Sequence, residues 1–222
     1  MQELSLYANI QDIESFLLFL TAYSGSRPIE FSEHHIIFKP ISRAPSTKNI
    51  HPTQTKPLVV LELCGNRNRI ARTQLEDDLI SKINWSVVFA DTPEANNKHE
   101  LTSRVILKSD VNNGDAIKFV QSLGYSYSHE YMRNGKYAVR NNSVLSVFQV
   151  LQPKHAYDDQ NQSFDFTDQW ILQASITVDN SQDPFLVTQA SEELKAIRAD
   201  LRGICDLEQA SRQSLDTRII II

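Results

Sequence analysis

The stretch from Tyr125 to Leu151 constrains the fold most. It is dense in Tyr, Val, Phe and Leu, which suit a pleated, half-buried surface. Asn134-Gly135 and Asn141-Asn142 punctuate it with residues that tolerate positive φ, so the sequence predicts a meander with two two-residue turns. Its strands would be Tyr125 to Arg133, Lys136 to Arg140 and Ser143 to Leu151. This register sets Met132 opposite Tyr137, Tyr131 opposite Ala138, Val139 opposite Val144, and Ala138 opposite Leu145. One face then carries Met132, Tyr137, Val139, Val144 and Phe148, and the other Tyr125, Tyr127, Tyr131, Ala138, Leu145, Val147 and Leu151. Neither face is polar. A sheet apolar on both sides must be covered on both, by a barrel interior on one and by helices on the other.

Further strand-like runs are Gln2 to Tyr7, His34 to Ile41, Leu58 to Cys64, Ser86 to Ala90, Leu101 to Lys108 and Trp170 to Val178. Four stretches have helical spacing. Ile13, Phe16, Leu17 and Leu20 form one stripe, with Asp12 before it and Gly25 after it. Leu75, Leu79 and Ile83 form a second, behind the capping-box pair Thr73 and Glu76. A third runs from about Asn112 to Leu123 and stops at Gly124. The longest starts at Asp183-Pro184 and repeats Val187, Ala190, Leu194, Ile197, Leu201 and Ile204. Strands outnumber helices without regular βαβ alternation, so the expected class is α+β with a mostly antiparallel sheet.

At 222 residues and 41% hydrophobic, the chain suits one domain over residues 1–222, with long polar loops at 42–57, 91–100 and 153–168. No apolar run is long enough to span a bilayer, and the N-terminus lacks the pattern of a secretory signal, so the sequence predicts a protein inside the cell. A net charge of −5 with scattered Lys and Arg gives no reason to expect nucleic-acid or membrane binding. Cys64 and Cys205 read as buried free thiols.

Sequence spacing offers little chemistry. The six histidines lack ligand spacing, His34 and His35 point to opposite faces of a strand, and neither cysteine has a neighbouring Cys or His. Phosphate-binding loops, nucleophile elbows and His-Glu-x-x-His are missing. The expectation is therefore no catalytic residue, no metal and no cofactor. Asn66 to Arg72 is a single basic cluster that reads as a solvated turn. Four helices, two of them short, leave part of the strand surface uncovered, which calls for a partner. Four of the seven tyrosines fall between Tyr125 and Tyr137, and Tyr suits an interface that buries a ring and keeps a hydroxyl wet. Tyr125, Tyr127, Tyr131 and Tyr137 are the candidate partner-binding residues.

Three motifs carry a resemblance: Gln2-Glu3-Leu4-Ser5-Leu6-Tyr7, Ser122-Leu123-Gly124-Tyr125, and Ser211-Arg212-Gln213-Ser214-Leu215-Asp216-Thr217-Arg218. In this order they resemble the fungal subunit 18 family of the transcriptional Mediator head module. The resemblance implies a many-stranded, largely antiparallel β-barrel with helices packed around it, similar in shape to Mediator subunit 20 and to triphosphate-tunnel barrels. It further implies a nuclear, non-catalytic scaffold acting as a transcription coregulator. That scaffold would pair with subunit 20, be held by a C-terminal helix of subunit 8, and reach RNA polymerase II through the assembled head. The rival reading is a metal-dependent triphosphate-tunnel phosphohydrolase. Such an enzyme needs several barrel carboxylates, announced by Glu-x-Glu-x-Lys in the first strand. Here that strand reads Gln2 to Tyr7, and Glu62 and Glu130 are nearly the only mid-strand acids, so the rival lacks its ligands.

Overall fold

Strand β1 (Gln2–Ile10) alternates, and its alternation sets the plan of the molecule. Leu4, Leu6, Ala8 and Ile10 point outward into an apolar core beneath helices, while Glu3 and Tyr7 point into a cavity. In this computed structural model the described residues are 1–41, 58–67, 83–94, 100–153, 156–157, 164–166 and 168–219. On one side β1 pairs with β10 (Trp170–Val178) and on the other with β6 (Thr102–Asp110). The ladder continues through β5 (Trp85–Ala90), β4 (Leu61–Asn66), β2 (Ile29–Pro40), β7 (Tyr125–Arg140) and β8 (Ser143–Pro153). It closes where Val144 to Phe148 of β8 pair with Ile171 to Ser175 of β10. The result is a closed, eight-stranded, antiparallel barrel. This is the expected α+β barrel. Beyond the closure, β9 (Phe164–Phe166) adds to the end of β8, placing a short strand inside the stretch expected to be a loop. A second small sheet joins β3 (Leu58–Val59) to β11 (Arg218–Ile219).

Three α-helices cover the described barrel, and each begins on an aspartate. Asp12 accepts a hydrogen bond from Ser15 N at 3.1 Å and starts α1 (Ile13–Ser24), which ends at Gly25 with φ of 71°. Asp115 caps α2 (Ala116–Ser122) through Lys118 N at 3.0 Å. Asp183 caps α3 (Pro184–Asp200) through Phe185 N at 3.0 Å, with Pro184 at the first turn. The helices α1 and α3 roof one core, where Phe16, Leu20, Ala190, Leu194, Ile197 and Leu201 meet the outward residues of β1, β7, β8 and β10. Tyr23 of α1 ties the two together. Its hydroxyl donates to Asp200 Oδ2 at 2.7 Å, and the Arg140 guanidinium lies 3.6 Å from its ring centre. A second core lies under α2, where Ala116 and Val120 pack on Ile36, Phe38, Leu63, Ile83 and Trp85. Of the helix expected around Leu75 and Leu79, only Ile83 falls within the described residues, and it is buried. Of the expected long loops, residues 42–57 lie outside the described residues, as do 95–99 and most of 153–168.

The expected turn at Asn134-Gly135 does not form. Strand β7 runs unbroken through it, with Asn134 paired to Ser32 and Gln149, and Gly135 paired to Phe31 and Phe148. Glycine is used there for close approach between strands. A Cβ on Gly135 would lie 2.1 Å from the Val147 carbonyl oxygen and 2.7 Å from Phe148 Cα. The turn at Asn141-Asn142 does form, with Asn141 at φ of 53°, and keeps Val139 opposite Val144 and Ala138 opposite Leu145. A bulge shifts the pairing between β2 and β7, since Ile37 faces His129 and Phe38 faces Tyr127, leaving Ser128 as the extra residue.

Two substitutions test this architecture. Leu194→Ala opens a hole under α3 and lowers stability by about 2–5 kcal/mol in a chemical melt. Gly135→Ala pushes β8 off β7 and lowers stability by about 1–3 kcal/mol or more. An alanine at 135 that leaves the melt unchanged would show that the two strands do not approach as described.

Candidate functional site

The barrel interior carries charged and hydrogen-bonding side chains among apolar ones such as Val88, Ile106, Phe148 and Val150, where the meander suggested an apolar filling. Inward positions of neighbouring strands line a cavity of about 980 Å³ with Glu3, Tyr7, Glu33, His35, Glu62, Cys64, Arg104, Lys108, Tyr131, Arg133 and Gln173. The reason is the alternation of β1, β2 and β4, which directs Leu4, Ile36 and Leu63 outward and the intervening charged residues inward. Glu3 and Glu33 are acids that the sequence reading left out. Their position every second residue beside outward apolar side chains was the signal available.

The charges are joined in a chain that runs around the wall. Arg104 Nη2 donates to Glu3 Oε2 at 3.3 Å, and Gln173 Nε2 donates to Glu3 Oε1 at 3.1 Å. Gln173 Oε1 accepts from Arg133 Nη2 at 3.0 Å, and Arg133 Nη1 stands 4.0 Å from Glu33 Oε2. His35 Nε2 lies 3.5 Å from the same Glu33 oxygen, and His35 Nδ1 meets Glu62 Oε1 at 2.5 Å. Burial alone would raise the Glu62 carboxyl, but the His35 hydrogen bond and charge outweigh it and hold it below its usual value. Burial likewise opposes charge on His35. Tyr131, Cys64, Glu33 and Glu62 overcome that and keep the imidazole protonated well above its ordinary range. The carboxylates of Glu3, Glu33 and Glu62 each therefore have a cationic neighbour, and the first strand presents only one inward acid among Glu3, Ser5 and Tyr7. The repeated acids and free lysine of the Glu-x-Glu-x-Lys arrangement are not found on this strand.

An aromatic cluster stands beside this chain. The Arg133 guanidinium lies 3.8 Å from the Phe148 ring centre, and Phe31 packs against Phe148 and Tyr137 with centroids 6.3 and 6.1 Å apart. The C-terminal segment reaches the cavity as well, contributing Asp206, Glu208, Gln209, Ser214 and Leu215 to its lining. Tyr7 and Glu208 exchange two backbone hydrogen bonds at 2.8 Å. Arg218 grips Asp216 through Nε at 2.8 Å and Nη2 at 2.6 Å, while Thr92 donates to Asp216 Oδ1 at 3.0 Å. The Asp216 carboxyl is held far below its usual range by Arg218. The motif Ser211 to Arg218 thus braces the chain end against β5, where Thr217 Oγ1 donates to the Ala90 carbonyl at 2.8 Å.

The four candidate tyrosines occupy different places. Tyr125 and Tyr127 are half-buried on the outer face at the rim of the core under α2, and Tyr127 contacts Tyr157 at 4.8 Å between centroids. Tyr131 faces inward and stacks on His35 at 4.6 Å with a 2° interplanar angle. Burial raises its hydroxyl to about 12. Tyr137 packs on Phe31 beside the lumen. Near Tyr125 and Tyr127, α2 exposes Phe119 and its C-cap residue Leu123 is exposed too, and elsewhere α1 exposes Leu18 and α3 exposes Phe185. Arg67, from the basic cluster, donates to the Met132 sulfur at 3.0 Å, and Asn68 to Arg72 lie outside the described residues.

Comparison with known proteins gives this geometry a family. Residues 2–218 match the family model described as "Med18 protein". A relative from Yarrowia lipolytica, Mediator of RNA polymerase II transcription subunit 18, is 29% identical over 99% of this chain and 100% of its own. The protein of the same name from Coccidioides immitis is 32% identical over 74% of this chain and 66% of its own. Among solved structures, one of the Schizosaccharomyces pombe Mediator head module includes a chain that superposes with a TM-score of 0.76 at 22% identity, covering 95% of this chain and 99% of that one. A putative adenylate cyclase from Vibrio parahaemolyticus shares the fold at a TM-score of 0.53 and 12% identity, covering 96% of each chain. The relatives are named as subunits of a transcription complex and not as enzymes. The family match runs through the alternating barrel, its roofing helices and the braced C-terminal motif, and the chain belongs to the Med18 family.

Proposed function

We propose that this chain is a scaffold subunit of a Mediator head module in the nucleus, where it acts as a transcription coregulator. It pairs there with subunit 20, is held by a C-terminal helix of subunit 8, and reaches RNA polymerase II through the assembled head. The observation that carries the reading is the match to the Med18 family along nearly the whole chain. The surface supports it. Leu18 is 76% exposed and Phe185 73%, and the helices that roof the barrel therefore keep apolar side chains on their outer sides. Among the candidate tyrosines, Tyr125 and Tyr127 lie on the outer wall beside α2, whose Phe119 and Leu123 are 48% and 53% exposed. This proposal places a subunit contact at that patch, where aromatic rings supply area at small entropic cost. Tyr131 and Tyr137 support the wall from the lumen side.

A segment from the C-terminal part of subunit 8, bound at 100 times its dissociation constant, stabilises the folded chain by about 2.7 kcal/mol. At this size that corresponds to a rise in melting temperature of about 5–10 °C. Unchanged melting at saturating segment overturns the assignment of that partner. At the patch, Tyr127→Ala weakens capture of the partner subunits about tenfold or more, while circular dichroism shows the barrel still folded. Equal capture by the variant and the parent chain removes Tyr127 from the contact.

A further inference from the structure

Glu33, His35 and Cys64 offer one ligand atom each, all within 4.8 Å of one another, on the inner wall of the barrel. The antiparallel register builds this cluster. Glu33 and His35 are two apart on β2 and so share a face, and Cys64 of β4 is the direct cross-strand partner of His35. Glu62, two residues before Cys64, reaches His35 Nδ1. Two adjacent strands thereby present Glu-x-His against Glu-x-Cys on one rigid surface.

The imidazole is oriented as a metal ligand is. A carboxylate on Nδ1 holds that N–H, so that loss of the other ring proton leaves the second nitrogen to coordinate, an arrangement that recurs around protein-bound zinc. Tyr131 stacks flat on the ring at 4.6 Å and restrains its rotation. His35 is 4% exposed, and its Nε2 has no hydrogen-bond partner, although Glu33 Oε2 stands 3.5 Å away. A buried ring nitrogen that makes no hydrogen bond of ordinary geometry, yet stands at ion-pair distance from a carboxylate and close to a thiol, is a second observation beside the clustering itself.

We propose that Glu33, His35 and Cys64 form a binding site for a divalent transition metal of the zinc class, with Glu62 as the outer carboxylate that orients His35. The donor set selects the metal. A thiolate and an imidazole suit zinc or cobalt over magnesium or calcium, which take all-oxygen shells. Three protein ligands leave a fourth position directed to the lumen. Binding displaces the thiol proton of Cys64 and the acidic proton of His35, both released to solvent.

The test uses the full chain, purified with chelator and titrated with cobalt(II), whose thiolate charge-transfer band and visible absorption report sulfur ligation. One equivalent per chain develops both signals, and zinc bleaches them by competition. Cys64→Ala removes the charge-transfer band, whereas Cys205→Ala retains it. Glu62→Gln keeps the band but weakens affinity about 10- to 100-fold. Circular dichroism of each variant reports the fold. Should His35→Gln fail to fold, Cys64→Ala carries the result, because it trims a half-buried side chain by one atom. No thiolate band in the parent chain, or a band that survives Cys64→Ala, overturns the site.

Discussion

Charge pairing inside the closed barrel is the interaction on which the rest depends. Eight strands enclose a space too wide for their own small side chains to fill, and this chain lines it with carboxylates and cations. An unpaired charge there would cost several kcal/mol, so the lining holds only if every sign has a neighbour of the other. The run Arg104, Glu3, Gln173, Arg133, Glu33, His35 and Glu62 meets that condition with side chains from β6, β1, β10, β7, β2 and β4. Because every link but Glu33–His35 joins different strands, the network also fixes register. Shifting one strand by a residue would turn its charges outward into the apolar cores and its leucines inward.

The outward residues complete the argument. The strands send most of their buried apolar residues away from the lumen, so the described residues form two cores on the outside of the barrel, one under α1 and α3 and one under α2. Helices in this fold serve as roofs over a sheet whose inner face carries paired charges. This inverts the usual barrel, in which the strands bury their greasy face within. It also explains why Leu18, Phe119, Leu123 and Phe185 remain at the surface: a single layer of helix shelters the wall on one side and, among the described residues, is not covered on the other.

Much of this was legible in the residues, and the failures share one cause. Helix starts at Asp12 and Asp183 and the turn at Asn141-Asn142 are local, and local chemistry announced them. Pairing was the difficulty. Asn134-Gly135 has the composition of a tight turn, yet whether glycine turns the chain or admits a neighbouring strand depends on what lies opposite, and Phe148 lies opposite. The assumed turn grouped Tyr131 with Ala138, Leu145 and Val147, which prove to face the outer core, whereas Tyr131 turns inward and stacks on His35. For Tyr125 and Tyr127 the bulge at Ser128 reversed the parity a second time and returned them to the outer face, so two departures from a simple count cancelled.

The same limit hid the lumen chemistry. His35 and Cys64 stand 29 positions apart in sequence, and no ligand-spacing rule links them, whereas in the ladder they are direct partners. A fold that is shared at a TM-score of 0.53 with a putative adenylate cyclase brings with it a wall of inward positions, but not the residues that occupy them. On β1 those positions hold one acid followed by a serine and a tyrosine, and on β2 and β4 they hold Glu-x-His and Glu-x-Cys. Oxygen-rich clusters favour hard cations and the phosphates that accompany them, while sulfur and imidazole favour softer metals held for structure. The inner wall of this chain therefore sets Glu-x-His against Glu-x-Cys, a donor set of mixed oxygen, nitrogen and sulfur, in a family whose members are named for the complex they help build.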